Sequence, residues 1–223
     1  MIYIITGTSS GLGLEMAKRL LAFGTVIGLS RTIGKADSLM QNPNFSWYRV
    51  DLSKKFEEIA PIIESQILPV LVEEEYSLIM NAAQFYVGDL RLTASETQEL
   101  FQTNLFSIMS IVDMMLRPKL KRILFINSIS GLIGQSNQHE YAASKHALKG
   151  FSTSLARQAK DRHYDVMSIN PGGINTELWA RNNIDAHNDF IDPGNLADLT
   201  VAMLKIPQRI FIDQMIILPP SDL

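Results

Sequence analysis

Short apolar runs alternate with longer helical stretches along nearly all of this 223-residue chain. That alternation predicts an α/β fold, a doubly wound, seven-stranded parallel sheet flanked by helices on both faces. Turn-forming residues bound each run, and the intervening stretches carry apolar residues at helical spacing. The first strand is expected at Ile2 to Thr6. Leu12 to Phe23 then reads as a helix, since Leu12, Met16, Leu20 and Phe23 recur close to the 3.6-residue period and Gly24 supplies a stop. Strands follow at Thr25 to Ser30 and Ser46 to Val50. Lys54 to Val72 is helical but broken or kinked at Pro61 and Pro69. Tyr76 to Met80 is the fourth strand, and Ser95 to Leu116 is a long periodic helix. Arg122 to Asn127, Asp165 to Ile169 and Arg209 to Ile212 complete the sheet. Glu177 to Pro193 is polar and irregular after a Pro-Gly-Gly turn, so residues 177–192 read as a short substrate lid. With no repeat, low-complexity tract or linker, residues 1–223 are expected to form a single domain.

Composition narrows the function. Hydrophobic residues are 46% and charged residues 19%, the balance of a chain that folds unaided. Twenty Lys plus Arg against 23 Asp plus Glu give a net charge of −3, and no basic run offers a track for phosphate backbones, so nucleic acid is not an expected partner. There is no cysteine, which excludes disulfides, thiolate nucleophiles and cysteine-bound metals. His139, His146, His163 and His187 show no metal-binding spacing, and no metal is expected. A first strand at residue 2 leaves no room for a leader, and no apolar run is long enough to span a bilayer; the expectation is a cytoplasmic protein.

Two motifs carry chemistry. Gly7-Thr8-Ser9-Ser10-Gly11-Leu12-Gly13 lies between the first strand and first helix, where backbone amides and the helix dipole favour a pyrophosphate. Glycines are needed there so that no Cβ holds the phosphate away. At the end of the second strand, where an acid would bind the adenosine ribose, stand Ser30 and Arg31. Arginine there suits a 2′-phosphate, which points to NADP over NAD. The second motif is Tyr141-Ala-Ala-Ser-Lys145, thirteen residues after Ser128. Tyrosine and lysine at i and i+4 share a helix face, so the ammonium is expected to draw the phenol down from its usual pKa of about 10. Reducing a carbonyl with hydride needs a hydrogen-bond donor and a proton source at one oxygen, and Ser128 and Tyr141 supply both.

Together these residues resemble the short-chain dehydrogenase/reductase family, over nearly the whole chain. The resemblance rests on Thr6 to Gly13, Asp51, Asn81-Ala82-Ala83, Asn104, Ser128, Tyr141, Lys145 and Pro171-Gly172 through Thr176. It implies that Asp51, with Leu52, meets the adenine, and that Asn81 steadies the central strands. It makes Ser128 hold the substrate oxygen, Tyr141 exchange the proton, and Lys145 bind the nicotinamide ribose. Asn104 would position a water, and Ile174 and Thr176 would contact the carboxamide. A small-molecule carbonyl or alcohol is the implied substrate, and a homodimer or homotetramer built on the Ser95 to Leu116 and Tyr141 helices the implied assembly. Gln84 stands where the family usually has glycine, and Ser10 where many NADP-using members are basic. A non-catalytic NADP(H) sensor is the alternative; an epimerase would need a larger C-terminal region than the one after Pro193.

Overall fold

The computed structural model describes residues 1–88, 92–180, 182, 189–208, 210 and 212–220. Its sheet comprises β1 (Ile2–Thr6), β2 (Thr25–Ser30), β3 (Phe45–Arg49), β4 (Tyr76–Met80), β5 (Leu120–Ile126), β6 (Asp165–Pro171) and β7 (Gln214–Ile217). The order is β3-β2-β1-β4-β5-β6-β7, and each neighbouring pair is parallel. The winding direction reverses between β1 and β4, so the crevice that binds ligands in such sheets opens there, at the carboxyl ends of the strands.

The central strands are largely apolar and buried because helices cover both faces. Every residue of β1 and of β4 is buried. With side chains alternating across a strand, Ile4, Leu78 and Phe125 enter one apolar cluster, while Ile5, Ile79 and Leu124 enter the other. The first cluster packs against α2 (Phe56–Ile62), α4 (Ser107–Met114) and α5 (His139–Ala159). The second packs against α1 (Gly11–Leu20) and α7 (Pro193–Lys205).

Two elements depart from the pattern expected of the sequence, the seventh strand and the long helix, while the expected break in residues 54–72 is present. The seventh strand lies at Gln214–Ile217, paired with Ser168–Pro171 of β6; of the expected Arg209 to Ile212, Ile210 and Ile212 belong to no strand, and Arg209 and Phe211 lie outside the described residues. Both stretches are short and apolar, and pairing with β6 selects the second. The stretch from residue 54 passes from α2 into a π turn at Ile63–Ile67 and a 3₁₀ turn at Leu68–Leu71. The long helix is likewise split, into α3 (Ala94–Phe101), a π turn at Gln102–Phe106, and α4. A Thr93/Glu96 capping box starts α3. Across the π turn the Gln102 amide donates to Ser107 Oγ at 2.9 Å, and that hydroxyl donates to the Leu52 carbonyl at 2.8 Å.

Arg122 closes the amino end of the central sheet. It is 4% exposed and donates to Asp165 Oδ2 on β6 at 2.9 Å. It also donates to the carbonyls of Met203, Leu204 and Ile206, at the end of α7, where a cation suits the helix dipole.

Candidate active site

The turn after β1 runs directly into α1. Gly7 and Gly11 hold left-handed backbone, at φ +78° and +56°, and a Cβ on Gly13 would stand 2.1 Å from the Gly7 carbonyl oxygen. Only glycine lets loop and helix close this tightly. Ser10 caps α1 without a side-chain hydrogen bond, and the first turn carries no acid. The leading N–H groups and the positive end of the dipole are therefore available to an anion, and residues 10–13 line the cleft. A pyrophosphate fits this cradle, as no bulk or negative charge of the protein fills it.

From the cradle the cleft runs past Ser30, Arg31, Asp51 and Leu52 on one side and past Asn81, Ala82 and Ala83 to Tyr141, Lys145, Ile174 and Thr176. Arg31 is exposed and makes no hydrogen bond or ion pair among the described residues. Asn81 ties β4 to β1, its Nδ2 donating to the Thr6 carbonyl at 2.9 Å and its backbone N–H to Thr6 Oγ1 at 2.9 Å. Three residues expected at the cofactor do not line this cleft. The Thr8 side chain is buried against Gly28 of β2, while Pro171 and Gly172 line a neighbouring cavity.

Ser128 lies two residues past the end of β5, after Asn127, and Tyr141 and Lys145 stand one turn apart on α5. The Ser130 N–H donates to Ser128 Oγ at 3.1 Å, which fixes that side chain. Tyr141 is 8% exposed, and burial pushes its phenol up to about 12, against the hydrogen bond with Ser128 that favours the phenolate. Lys145 is 1% exposed, and burial brings its ammonium down to about 8. Its Nζ donates to the Ile126 carbonyl at 3.2 Å and lies 5.7 Å from the Tyr141 ring centroid. The expected lowering of the phenol by Lys145 is thus not what this structure has. Desolvation dominates both groups, because the two share a buried pocket and not a solvated helix face.

Asn104 sits in the π turn, fully buried. Its Oδ1 accepts from the Gln84 N–H at 2.7 Å, and its Nδ2 donates to the Gln84 carbonyl at 2.9 Å and to Ser144 Oγ at 3.1 Å. It lines neither cavity and acts on the loop after β4. The Gln84 side chain, where glycine was expected, donates to Glu99 Oε1 at 2.6 Å.

The second cavity, of about 170 Å³, meets the cleft at Asn127, Tyr141 and Ile174. Phe85, Trp179 and Phe190 wall it, and Ser128 and Gln138 face it. Of these the sequence points to Ser128 and, within the expected lid, to Trp179 and Phe190. Asn127, Phe85 and Gln138 are not singled out by it, although Asn127 adjoins Ser128 and Phe85 follows Gln84. Within the expected lid, α6 (Glu177–Ala180), Asn182 and residues 189–192 are described, whereas Arg181 and residues 183–188 lie outside. Among the described residues no group of three His, Cys, Asp or Glu stands close enough to hold a metal; His187 is not among them. No helix there is long and apolar enough to cross a membrane.

A parallel sheet with this order, reversal point and phosphate cradle defines a Rossmann-type nucleotide-binding protein. The sequence pattern of the short chain dehydrogenase family matches residues 1–187, and the chain belongs to that family of oxidoreductases, which work with a nicotinamide cofactor on small molecules. It is 31% identical over 187 residues to the 3-oxoacyl-[acyl-carrier-protein] reductase FabG of Salmonella typhimurium, covering 79% of this chain and 75% of the relative. Among solved structures, a closed serine dehydrogenase complexed with NADP+ superposes with TM-score 0.88 at 18% identity, covering 100% of this chain and 96% of the other. A 4-hydroxyisoleucine dehydrogenase complexed with NADH and succinate superposes with TM-score 0.84 at 23% identity, covering 97% of both chains. At those identities the likeness concerns the fold.

Proposed function

We propose that this protein is an NADP(H)-dependent oxidoreductase that interconverts a carbonyl and an alcohol, with Tyr141 exchanging the proton. The reading rests on the meeting of Ser128, Tyr141 and Lys145 at the carboxyl end of β5, where the dinucleotide cleft opens into a second cavity. The nicotinamide, when bound, supplies or takes the hydride. Ser130 occupies an acceptor site on Ser128 Oγ, and the Ser128 hydroxyl, hydrogen-bonded to Tyr141, would turn its one proton to a substrate oxygen that enters between them. Tyr141 is protonated at neutral pH, the state a proton donor to a forming alkoxide requires. Its phenolate, once formed, would be stabilised by the Lys145 ammonium, which is still mostly charged at pH 7. Reduction is the expected direction because NADPH in cells usually serves reductions, and the protonated phenol is the form that reduction uses. Asn104 is a positioning residue, holding the Gln84 backbone beside the cleft.

The NADP preference rests on Arg31, a guanidinium just past the end of β2 that makes no hydrogen bond or ion pair among the described residues. A fork facing a 2′-phosphate gives paired charge-assisted bonds. A homodimer or homotetramer joined through the α3–α4 stretch and α5, in the cytoplasm, completes the proposal. Titration of NADPH and NADH against wild type and Arg31→Glu tests the cofactor: NADPH affinity should fall by about 10- to 100-fold, NADH affinity far less. Equal losses would remove Arg31 as the phosphate reader. Oxidation of NADPH in the presence of a carbonyl panel tests the activity itself.

A further inference from the structure

The second cavity indicates what kind of carbonyl compound it takes. Its wall is aromatic and held in place. The Phe85 ring meets Tyr141 and Trp179 edge-on, each with centroids 4.8 Å apart, and Trp179 lies 4.9 Å from Phe190. Trp179 Nε1 donates to the Ile174 carbonyl at 3.0 Å, pinning the indole to the segment after β6. Asn182 Nδ2 donates to the carbonyls of Phe85 and Leu178, and its Oδ1 accepts from the Val87 N–H, which joins the lid to the loop after β4. A Cβ on Gly173 would stand 2.7 Å from the Phe190 ring, so glycine there seats that ring on the wall. These ties preform the cavity; the aromatic groups need no ordering by a ligand.

No Lys, Arg, His, Asp or Glu lines this cavity among the described residues. Lys145 lines the cleft, and its Nζ is turned to the Ile126 carbonyl. The polar edge is neutral: Ser130 Oγ donates to Gln138 Oε1 at 3.0 Å, which directs the two Nε2 donors of Gln138 away from that bond. The volume, about 170 Å³, is close to that of a cavity of roughly 150 Å³ that accepts benzene.

We propose that the substrate is an uncharged aldehyde or ketone carrying one ring-sized apolar group, and that compounds whose ring-sized group bears a carboxylate, phosphate or ammonium are refused. Among the described residues a charged group would shed its water here with no counter-ion lining the cavity. The inference rests on the reading of Ser128 and Tyr141 as the reacting centre.

The test compares NADPH-dependent reduction of benzaldehyde, 4-carboxybenzaldehyde and propanal. Benzaldehyde should exceed the carboxylated ring in kcat/KM by about 100-fold and propanal by about 30-fold. Gln138→Arg should raise the 4-carboxybenzaldehyde value at least about 10-fold. Because that variant alters a cavity wall, binding is measured separately. With Trp47, the other tryptophan, replaced in Trp47→Phe, fluorescence of Trp179 should be quenched saturably by benzyl alcohol, and by 4-carboxybenzyl alcohol only at about 100-fold higher concentration. Quenching by benzyl alcohol without turnover of any aldehyde would sustain the cavity inference and remove the catalytic reading. Equal turnover of the three aldehydes would do the reverse. Absence of both quenching and ring-aldehyde turnover would overturn the inference.

Discussion

Strand β5 has a buried cation at each end, and the two are held in opposite ways. Arg122, at the amino end, is matched by a carboxylate and three carbonyls. Lys145, at the carboxyl end, donates to one carbonyl and lies beside an aromatic ring. Both are almost wholly excluded from solvent. A buried charge is tolerated when polar groups replace its water. Arg122 has that replacement and binds β5, β6 and α7 together; Lys145 lacks much of it, and its proton is loosened accordingly. The contrast separates a charge that builds the sheet from one that is poised beside a reacting group.

The largest effect should come from the poised end. Tyr141→Phe and Lys145→Met should each lower kcat/KM by about a thousandfold, measured by NADPH oxidation on protein shown by circular dichroism to be folded. A variant of either with full turnover would remove the proposed proton path. At the other end, Arg122→Met should cost about 3 to 5 kcal/mol in urea unfolding, because Asp165 is left buried and unpaired. Adding Asp165→Leu should recover part of that loss; if the double variant is the less stable, the pair contributes more than it costs to bury.

The smallest effect has the opposite sign. Lys145 titrates near 8 in the fold, below its usual 10.5. Between those values the unfolded chain holds the extra proton, so stability rises with pH from about 8 to about 10.5. Below 8 the fold bears the full cost of the buried ammonium, about 3 kcal/mol for a shift of that size. Lys145→Met should therefore be more stable than wild type at pH 7 by up to that amount, with the difference shrinking toward pH 10.5. Urea midpoints at several pH values check this, and an equal or lower stability of the variant at pH 7 would show that the single carbonyl bond offsets desolvation.

The same contrast marks what the sequence makes legible. Arg122 looks like an ordinary strand residue, because its four partners come from β6 and from the end of α7, far along the chain. Tyr141 and Lys145 are visible at once, since their spacing is local, and the phosphate cradle is visible for the same reason. What spacing cannot give is burial. A solvated pair on a helix and a pair sealed beneath β5 have the same letters, and the sign of the tyrosine shift turns on which it is. The seventh strand was misplaced because two apolar runs follow α7 and the choice belongs to β6. The sequence does not join Phe85 to the lid residues Trp179 and Phe190 in one wall, because they come from two loops with no common period.

The π turn between α3 and α4 bears on how such a chain can change. A regular helix advances about 100° per residue, so the surplus residue within Gln102–Phe106 offsets the phase of everything after it. Ile108, Ile111 and Val112 point into the sheet cluster in that phase, while Asn104 keeps hold of the Gln84 backbone. Shortening the helix by one residue would leave these two alignments in competition, and only one of them could survive. Point substitutions along this rod are cheap by comparison with a change in its length.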